Sequence, residues 1–229
     1  MSEFLIVKDI AKLFRPDKEV EVLALEDINL NIQRGEFVVI SGPSGSGKTT
    51  LLNIIGGLDL PSQGDISLDG EHLTGLSEND LSKIRRDHIG FVFQAYNLLP
   101  VLTARENIEY VMRLQGVSPE KCQARSFAVA EKLGIEMLLD KLPHQLSGGQ
   151  QQRVAVARAV ASTPKLVLAD EPTANLDSKT AASLIDMMEK LNRDEGVTII
   201  FSSHDPMVIA KARRSIVLKD GKIFSNICN

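Results

Sequence analysis

The chain has 229 residues, 43% of them hydrophobic and 24% charged, and its 26 basic and 30 acidic side chains give a formal charge of −4. That composition can bury one large core and excludes a disordered, collagen-like or low-complexity chain, and the acidic balance argues against nucleic-acid binding through net charge. The longest apolar runs, such as Phe37–Ile40 and Ile199–Phe201, are strand-sized, well short of the roughly 20 residues a membrane helix needs.

In chain order, Ile28, Leu30 and Ile32 alternate with Asn29, Asn31 and Gln33, the period of a half-exposed strand. Glu36–Ser41 reads as a second strand, with a helix starting near Lys48. Ile66 and Leu68, then Ile89, Phe91 and Phe93, repeat the alternation. The clusters Lys83, Arg85, Arg86 and Lys211, Arg213, Arg214 read as solvated helix faces. From about 95 to 158 the pattern turns helical. Thr103–Glu106 is a capping box whose helix should stop near Gly116, and Ser118-Pro119 opens another that ends at Gly134.

Lys165–Ala169 suits a buried parallel strand. Asp177 can cap a helix carrying Leu184, Ile185, Met188 and Leu191 at helical spacing. Thr198–Phe201 is a further buried strand, Asp205-Pro206 starts a short helix, and Asp220-Gly221 signals a hairpin between Ile216–Leu218 and Lys222–Phe224. Strands alternating with helices imply a largely parallel α/β sheet. We read 1–229 as one domain, with 1–94 and 159–229 as the core and 95–158 as a helical insert. The N-terminus has no basic stretch ahead of an apolar core, and Cys122 and Cys228 lack metal-site spacing. Both features lead us to expect a cytosolic protein with free thiols.

Gly42–Thr49 matches the phosphate-loop pattern GxxxxGK[ST] in the context that pattern requires, strand before and helix after. Gly45 and Gly47 let backbone N–H groups turn toward phosphate oxygens, and the helix N-terminus adds positive charge. Lys48 places a compact cation between β- and γ-phosphates, and the Thr49 hydroxyl can ligate Mg²⁺. Such a site needs a carboxylate at the end of a neighbouring strand. Leu166–Asp170 supplies Asp170 for the metal, and Glu171 is placed to polarise the attacking water. The same pair could cap a helix; the phosphate loop upstream favours the catalytic reading.

Leu146-Ser147-Gly148-Gly149-Gln150, between Gly42–Thr49 and Asp170-Glu171, makes the whole chain resemble the nucleotide-binding subunit of an ABC transporter. The resemblance implies a RecA-like P-loop ATPase core, an antiparallel β subdomain and an inserted helical signature subdomain. It assigns ATP contacts to Gly42, Pro43, Ser44, Gly45, Ser46, Gly47, Lys48, Thr49 and Thr50, with Phe14 stacking on adenine. Gln94 looks like the Q-loop glutamine, a third Mg²⁺ ligand beside Thr49 and Asp170 and a catalytic residue with Lys48, Glu171 and His204, the switch histidine. Ala174–Asp177 looks like the D-loop. Ser147, Gly148, Gly149 and Gln150 would act in trans, on ATP held by a second copy in a homodimer; a serine hydroxyl and N–H groups at a helix N-terminus suit that anion.

Asn53–Asp59, Lys83–Asp87, Ile89–Gln94 with Asn97–Pro100, and Gln145–Arg153 are most similar to the branch of macrolide-efflux, lipoprotein-releasing and cell-division ATPases. Ala174 and the pair Ser202-Ser203 depart from it, where glycine and valine-threonine are usual. The implied role is ATP hydrolysis, with ATP and Mg²⁺ as cofactors, driving a separate membrane permease from the cytoplasmic face; no nucleic acid is expected. Tyr96, Leu98 and Leu99 are either the permease contact or ordinary subdomain core. A DNA-repair or chromosome-structure ATPase would carry a long coiled coil or cysteine pairs between Gln94 and Leu146, and neither is present. An ATP-gated scaffold that moves no substrate stays open.

Overall fold

The computed structural model describes residues 3–17 and 20–228. Strands β1 (Glu3–Asp17) and β2 (Val20–Gln33) pair antiparallel, and β3 (Phe37–Ser41) leads through the glycine loop into α1 (Lys48–Ile55). The short strands β4 (Gln63–Leu68) and β5 (Glu71–His72) complete a four-stranded sheet ordered β2-β1-β4-β5. Then come α2 (Glu78–His88), β6 (Ile89–Val92), and the helices α3 (Ala104–Leu114), α4 (Pro119–Lys132) and α5 (Gly148–Ala161). The chain closes with β7 (Leu166–Ala169), α6 (Ser178–Glu195), β8 (Thr198–Ser203), the one-turn α7 (Pro206–Ile209), and the hairpin β9 (Arg214–Lys219) and β10 (Lys222–Cys228).

The second sheet has six strands in the order β10-β9-β3-β8-β7-β6, parallel except at the β9–β10 hairpin. Its apolar runs are continuous because both faces are covered. In β3, Phe37 and Val39 join the core formed with α3 to α6, while Val38 and Ile40 join the core under α1 and the antiparallel sheet. Ile199 and Phe201 of β8 divide from Ile200 in the same way, and the rings of Phe37 and Phe201 lie 5.0 Å apart.

The local signals act where expected. Thr103 and Glu106 form a reciprocal capping box on α3, and Gly116 and Gly134 follow α3 and α4 at φ +78° and +64°. Asp177 accepts from the N–H groups of Lys179 and Thr180 at the start of α6. Asp220 and Gly221, at φ +49° and +76°, make the tight turn that matches strand twist.

Three readings change. Lys211, Arg213 and Arg214 lie beyond α7 and are no helix face. Arg214 opens β9 and bonds Glu36 at 2.8 Å, Arg213 reaches Glu189, and Lys211 pairs with Asp186. Burial of Ile216 and Leu218 draws this segment into the sheet. Lys83, Arg85 and Arg86 do lie on α2, yet Arg85 is largely covered and donates to the Gly57 carbonyl at 2.6 Å. The alternation at Ile89, Phe91 and Phe93 is not one buried face: Gly90 and Val92 are buried too, and Phe93 lies past β6. There α5 packs so closely that a Cβ on Gly90 would come 2.3 Å from the Ala159 carbonyl oxygen.

Candidate functional site

The parallel strands deliver the site at their C-terminal ends. Beyond β3, Gly42 and Gly47 turn through φ +143° and +101°, where a Cβ would strike the Leu218 carbonyl at 2.1 Å and the Ala24 carbonyl at 2.7 Å. No other residue type fits that wrap. Lys48, only 6% exposed, donates to the carbonyl groups of Gly42 and Pro43 at 2.9 and 2.8 Å. The Ser46 hydroxyl is buried without a hydrogen-bond partner. In front of the loop lies a cavity of about 430 Å³ lined by Ser44, Gly45, Gly47, Lys48, Thr49 and Thr50, closed on other sides by Ala24, Gln94 and Glu171.

Strand β7 supplies the acids. Thr49 Oγ1 donates to the Asp170 carboxylate at 2.9 Å. Glu171 sits at φ +43°, a conformation that costs a non-glycine residue energy and is typical of working sites. Its carboxylate lies between His204 Nδ1 at 3.2 Å and Lys48 Nζ at 3.9 Å. Beneath both acids is Ser202, fully buried. Its hydroxyl donates to Asp170 Oδ1 at 2.7 Å and accepts from the Glu171 N–H at 2.7 Å.

The signature residues form a second cavity, of about 460 Å³, lined by Ser147, Gly148, Gly149, Gln150, Asn175 and Asp177 among others. It shares no lining residue with the first. Ser147 and Gln150 cap α5 reciprocally, with Ser147 N–H on Gln150 Oε1 at 2.9 Å. Side chains at the next two positions would clash: a Cβ on Gly148 would lie 2.8 Å from Tyr96 Oη, and on Gly149 2.8 Å from Thr180 Cγ2. Asp177 is engaged as a cap, and hydrogen bonds from the Thr180 hydroxyl, then from backbone N–H groups, hold its carboxyl below the usual range.

Of the residues expected at the phosphate site, Gly42, Pro43, Ser46, Asp170 and His204 back or flank the cavity, and the others line it, Phe14 excepted. Phe14 stands on β1, 40% exposed, with Lys12 Nζ 4.9 Å from its ring centroid, outside the cavity lining. Leu98 packs against the core, whereas Leu99 and Val101 are exposed, Val101 to 82%. Two residues escaped the sequence reading, Ser202, visible there only as a departure from valine, and Arg158 on α5; Asn175, read there only as part of the D-loop, donates its side chain to the Gln94 carbonyl at 3.1 Å.

A nucleoside triphosphate fits this loop: open space at Gly45, an orphaned buried hydroxyl at Ser46 and a buried ammonium at Lys48 all suit phosphate oxygens. Mg²⁺ fits as well. Thr49 and Asp170 offer oxygen donors only, a partial set of the kind a small hard cation completes with phosphates and water. Among the described residues no helix is long and apolar enough to cross a membrane.

The ABC transporter family model matches residues 25–174. The chain is 46% identical over 227 residues to the ABC transporter ATP-binding protein YxdL of Bacillus subtilis, covering 99% of this chain and 88% of the relative. It is 46% identical over 221 residues to the uncharacterized ABC transporter ATP-binding protein MJ0796 of Methanocaldococcus jannaschii, covering 95% and 94%. The macrolide export ATP-binding/permease protein MacB of Marinobacter nauticus is 46% identical across 95% of this chain, which spans 33% of that longer protein. A dimeric structure of MJ0796 in a post-hydrolysis state bound to ADP and Pi superposes with a TM-score of 0.90 at 43% identity, covering 98% of both chains.

Proposed function

The chain belongs to the ABC transporter family as an ATP-binding and ATP-hydrolysing cassette, and from that premise we propose that two copies close over two ATP molecules and drive a separate membrane permease. The observation that carries this reading is the pair of open cavities on one chain, one around Lys48 and one around Ser147, each at a helix N-terminus and with no residue in common. Each is half of a site. Joining one copy's phosphate loop to the other's signature completes both, and MJ0796 is similar to this chain and dimeric.

Within each composite site Lys48 and the loop N–H groups hold the phosphates and take up charge as the β–γ bridging P–O bond breaks. Thr49, Asp170 and Gln94 would hold Mg²⁺, which when bound neutralises the phosphate oxygens. Glu171 takes the proton of the water whose oxygen forms the new bond to the γ-phosphorus, leaving ADP and phosphate. His204, at 3.2 Å, orients the Glu171 carboxylate. Ser147 and the N-terminus of α5 meet the γ-phosphate from the opposite copy. Phe14 offers its exposed ring to the adenine.

For the permease we assign the groove of about 250 Å³ beside the Gln94 turn. It is walled by Phe91, Phe93, Val111 and Leu114 and edged by Arg85 and Arg86. An amphipathic helix with acidic flanks suits it, and such a partner would place the cassette on the cytoplasmic face of the membrane. Similarity to macrolide export proteins supports export or mechanical work on an extracytoplasmic partner. The test is the solution mass of Glu171→Gln with and without Mg·ATP. Doubling with ATP is expected; a chain that binds ATP yet stays monomeric at high concentration overturns the sandwich.

A further inference from the structure

Gln94 reaches the phosphate cavity on a segment that belongs to no helix or strand. β6 ends at Val92, and the turn that follows holds Tyr96 and Asn97 at φ +63° and +49°, a left-handed conformation that asparagine tolerates and that is costly for tyrosine. This turn meets α5 at two points about 15 Å apart along the helix, and is hydrogen-bonded at the second. At the helix N-terminus, Gly148 lies against the Tyr96 hydroxyl, leaving no room for a Cβ. Further along, the Arg158 guanidinium spans both peptides, donating from Nη2 to the Tyr96 carbonyl at 2.9 Å and from Nη1 to the Asn97 carbonyl. Burial draws the Arg158 pKa down, and carbonyl oxygens rather than a carboxylate take its hydrogen bonds. A half-buried guanidinium that spends its donors on two main-chain carbonyl groups fixes the place of the turn that carries them.

We propose that Arg158 is a positioning residue for ATP hydrolysis: by clamping the Tyr96–Asn97 turn to α5, it holds Gln94 at the phosphate cavity and makes the place of Gln94 follow the signature helix. This role rests on Gln94 serving the metal and the attacking water. In the sandwich, α5 presents Ser147 to the opposite ATP, so the clamp ties one chain's own catalytic water to the nucleotide it grips in trans. A planar fork holds its two donors at a fixed spacing and angle toward two carbonyl groups, whereas lysine offers a single point of charge on a flexible stem and fixes their relative place less well.

The test is steady-state ATPase of the full chain carrying Arg158→Met, Arg158→Lys, Gln94→Ala, or Arg158→Met with Gln94→Ala. We expect Arg158→Met to lower kcat by about tenfold to a hundredfold, as small displacements of a catalytic group do. KM for ATP should stay within about twofold, because the phosphate loop is untouched. The Mg²⁺ concentration giving half-maximal rate should rise, and Arg158→Lys should fall between wild type and Arg158→Met. The double variant should be no slower than Gln94→Ala alone. If Arg158→Met does not fold, Arg158→Lys is read on the same three parameters. Losses from Arg158 that add in full to those from Gln94, or an unchanged Mg²⁺ midpoint when Gln94→Ala shifts it, overturn the clamp. A silent Gln94→Ala overturns instead the reading of Gln94 on which the clamp stands.

Discussion

Replacing Ser202 with alanine removes one hydroxyl that serves two acids. That oxygen is buried, 2.7 Å from Asp170 Oδ1 and 2.7 Å from the Glu171 nitrogen. Alanine leaves the Glu171 N–H without its acceptor, a loss of about 1–3 kcal/mol for a covered donor. It also releases Glu171 from the φ of +43° that this bond helps to hold. For a domain this long each kcal/mol moves Tm by about 2–4 °C, so a fall of about 2–12 °C is expected in a thermal melt. The catalytic effect should be separate. With Glu171 free to relax, kcat falls by about 5- to 30-fold, the equivalent of 1–2 kcal/mol, while ATP affinity, set by Lys48 and the loop, holds. A variant that melts within about 1 °C of wild type and turns over at the same rate would show that the hydroxyl does not organise the acids.

Lys48→Ala deletes the buried ammonium of the phosphate loop and should weaken ATP binding by about 10- to 100-fold, the worth of hydrogen bonds to a charged group, as measured by calorimetry. Gly90→Ala pushes a methyl group to 2.3 Å from the Ala159 carbonyl oxygen and should lower stability to urea by about 1–3 kcal/mol through forced separation of β6 from α5. Hydrogen bonds from Lys165 and then Arg34 hold the Asp69 carboxyl below its ordinary 3.8. A depressed carboxyl pKa stabilises the fold above the unfolded value and loses that contribution as pH falls through the folded one. The Tm difference between wild type and Asp69→Asn should therefore be constant above about pH 5 and shrink below about pH 4; a gap that ignores pH would refute the assignment.

Much of the site is written in runs of a few residues. The phosphate loop, the Thr103 and Asp177 caps, the stops at Gly116 and Gly134, and the Asp220-Gly221 turn are set by contacts within about one helical turn, so residue types at fixed spacing specify them. The acids were legible for the same reason, as polar residues ending an apolar strand. What tertiary structure alone decided depends on which strands become neighbours. Ser202 serves Asp170 and Glu171 because β7 pairs with β8 in the register Ala169–Phe201, which sets residues 31 and 32 positions apart side by side. Arg158 meets Tyr96 and Asn97 across 62 and 61 positions because α5 lies back on β6 at Gly90. The charged stretch from Lys211 to Arg214 has helix-like composition, yet it leads through a turn into β9, inside the sheet between β10 and β3, where burying Ile216 and Leu218 outweighs a solvated helix face. Local chemistry belongs to the sequence, then, and the partners that aim it belong to strand register and helix packing, which no short window contains.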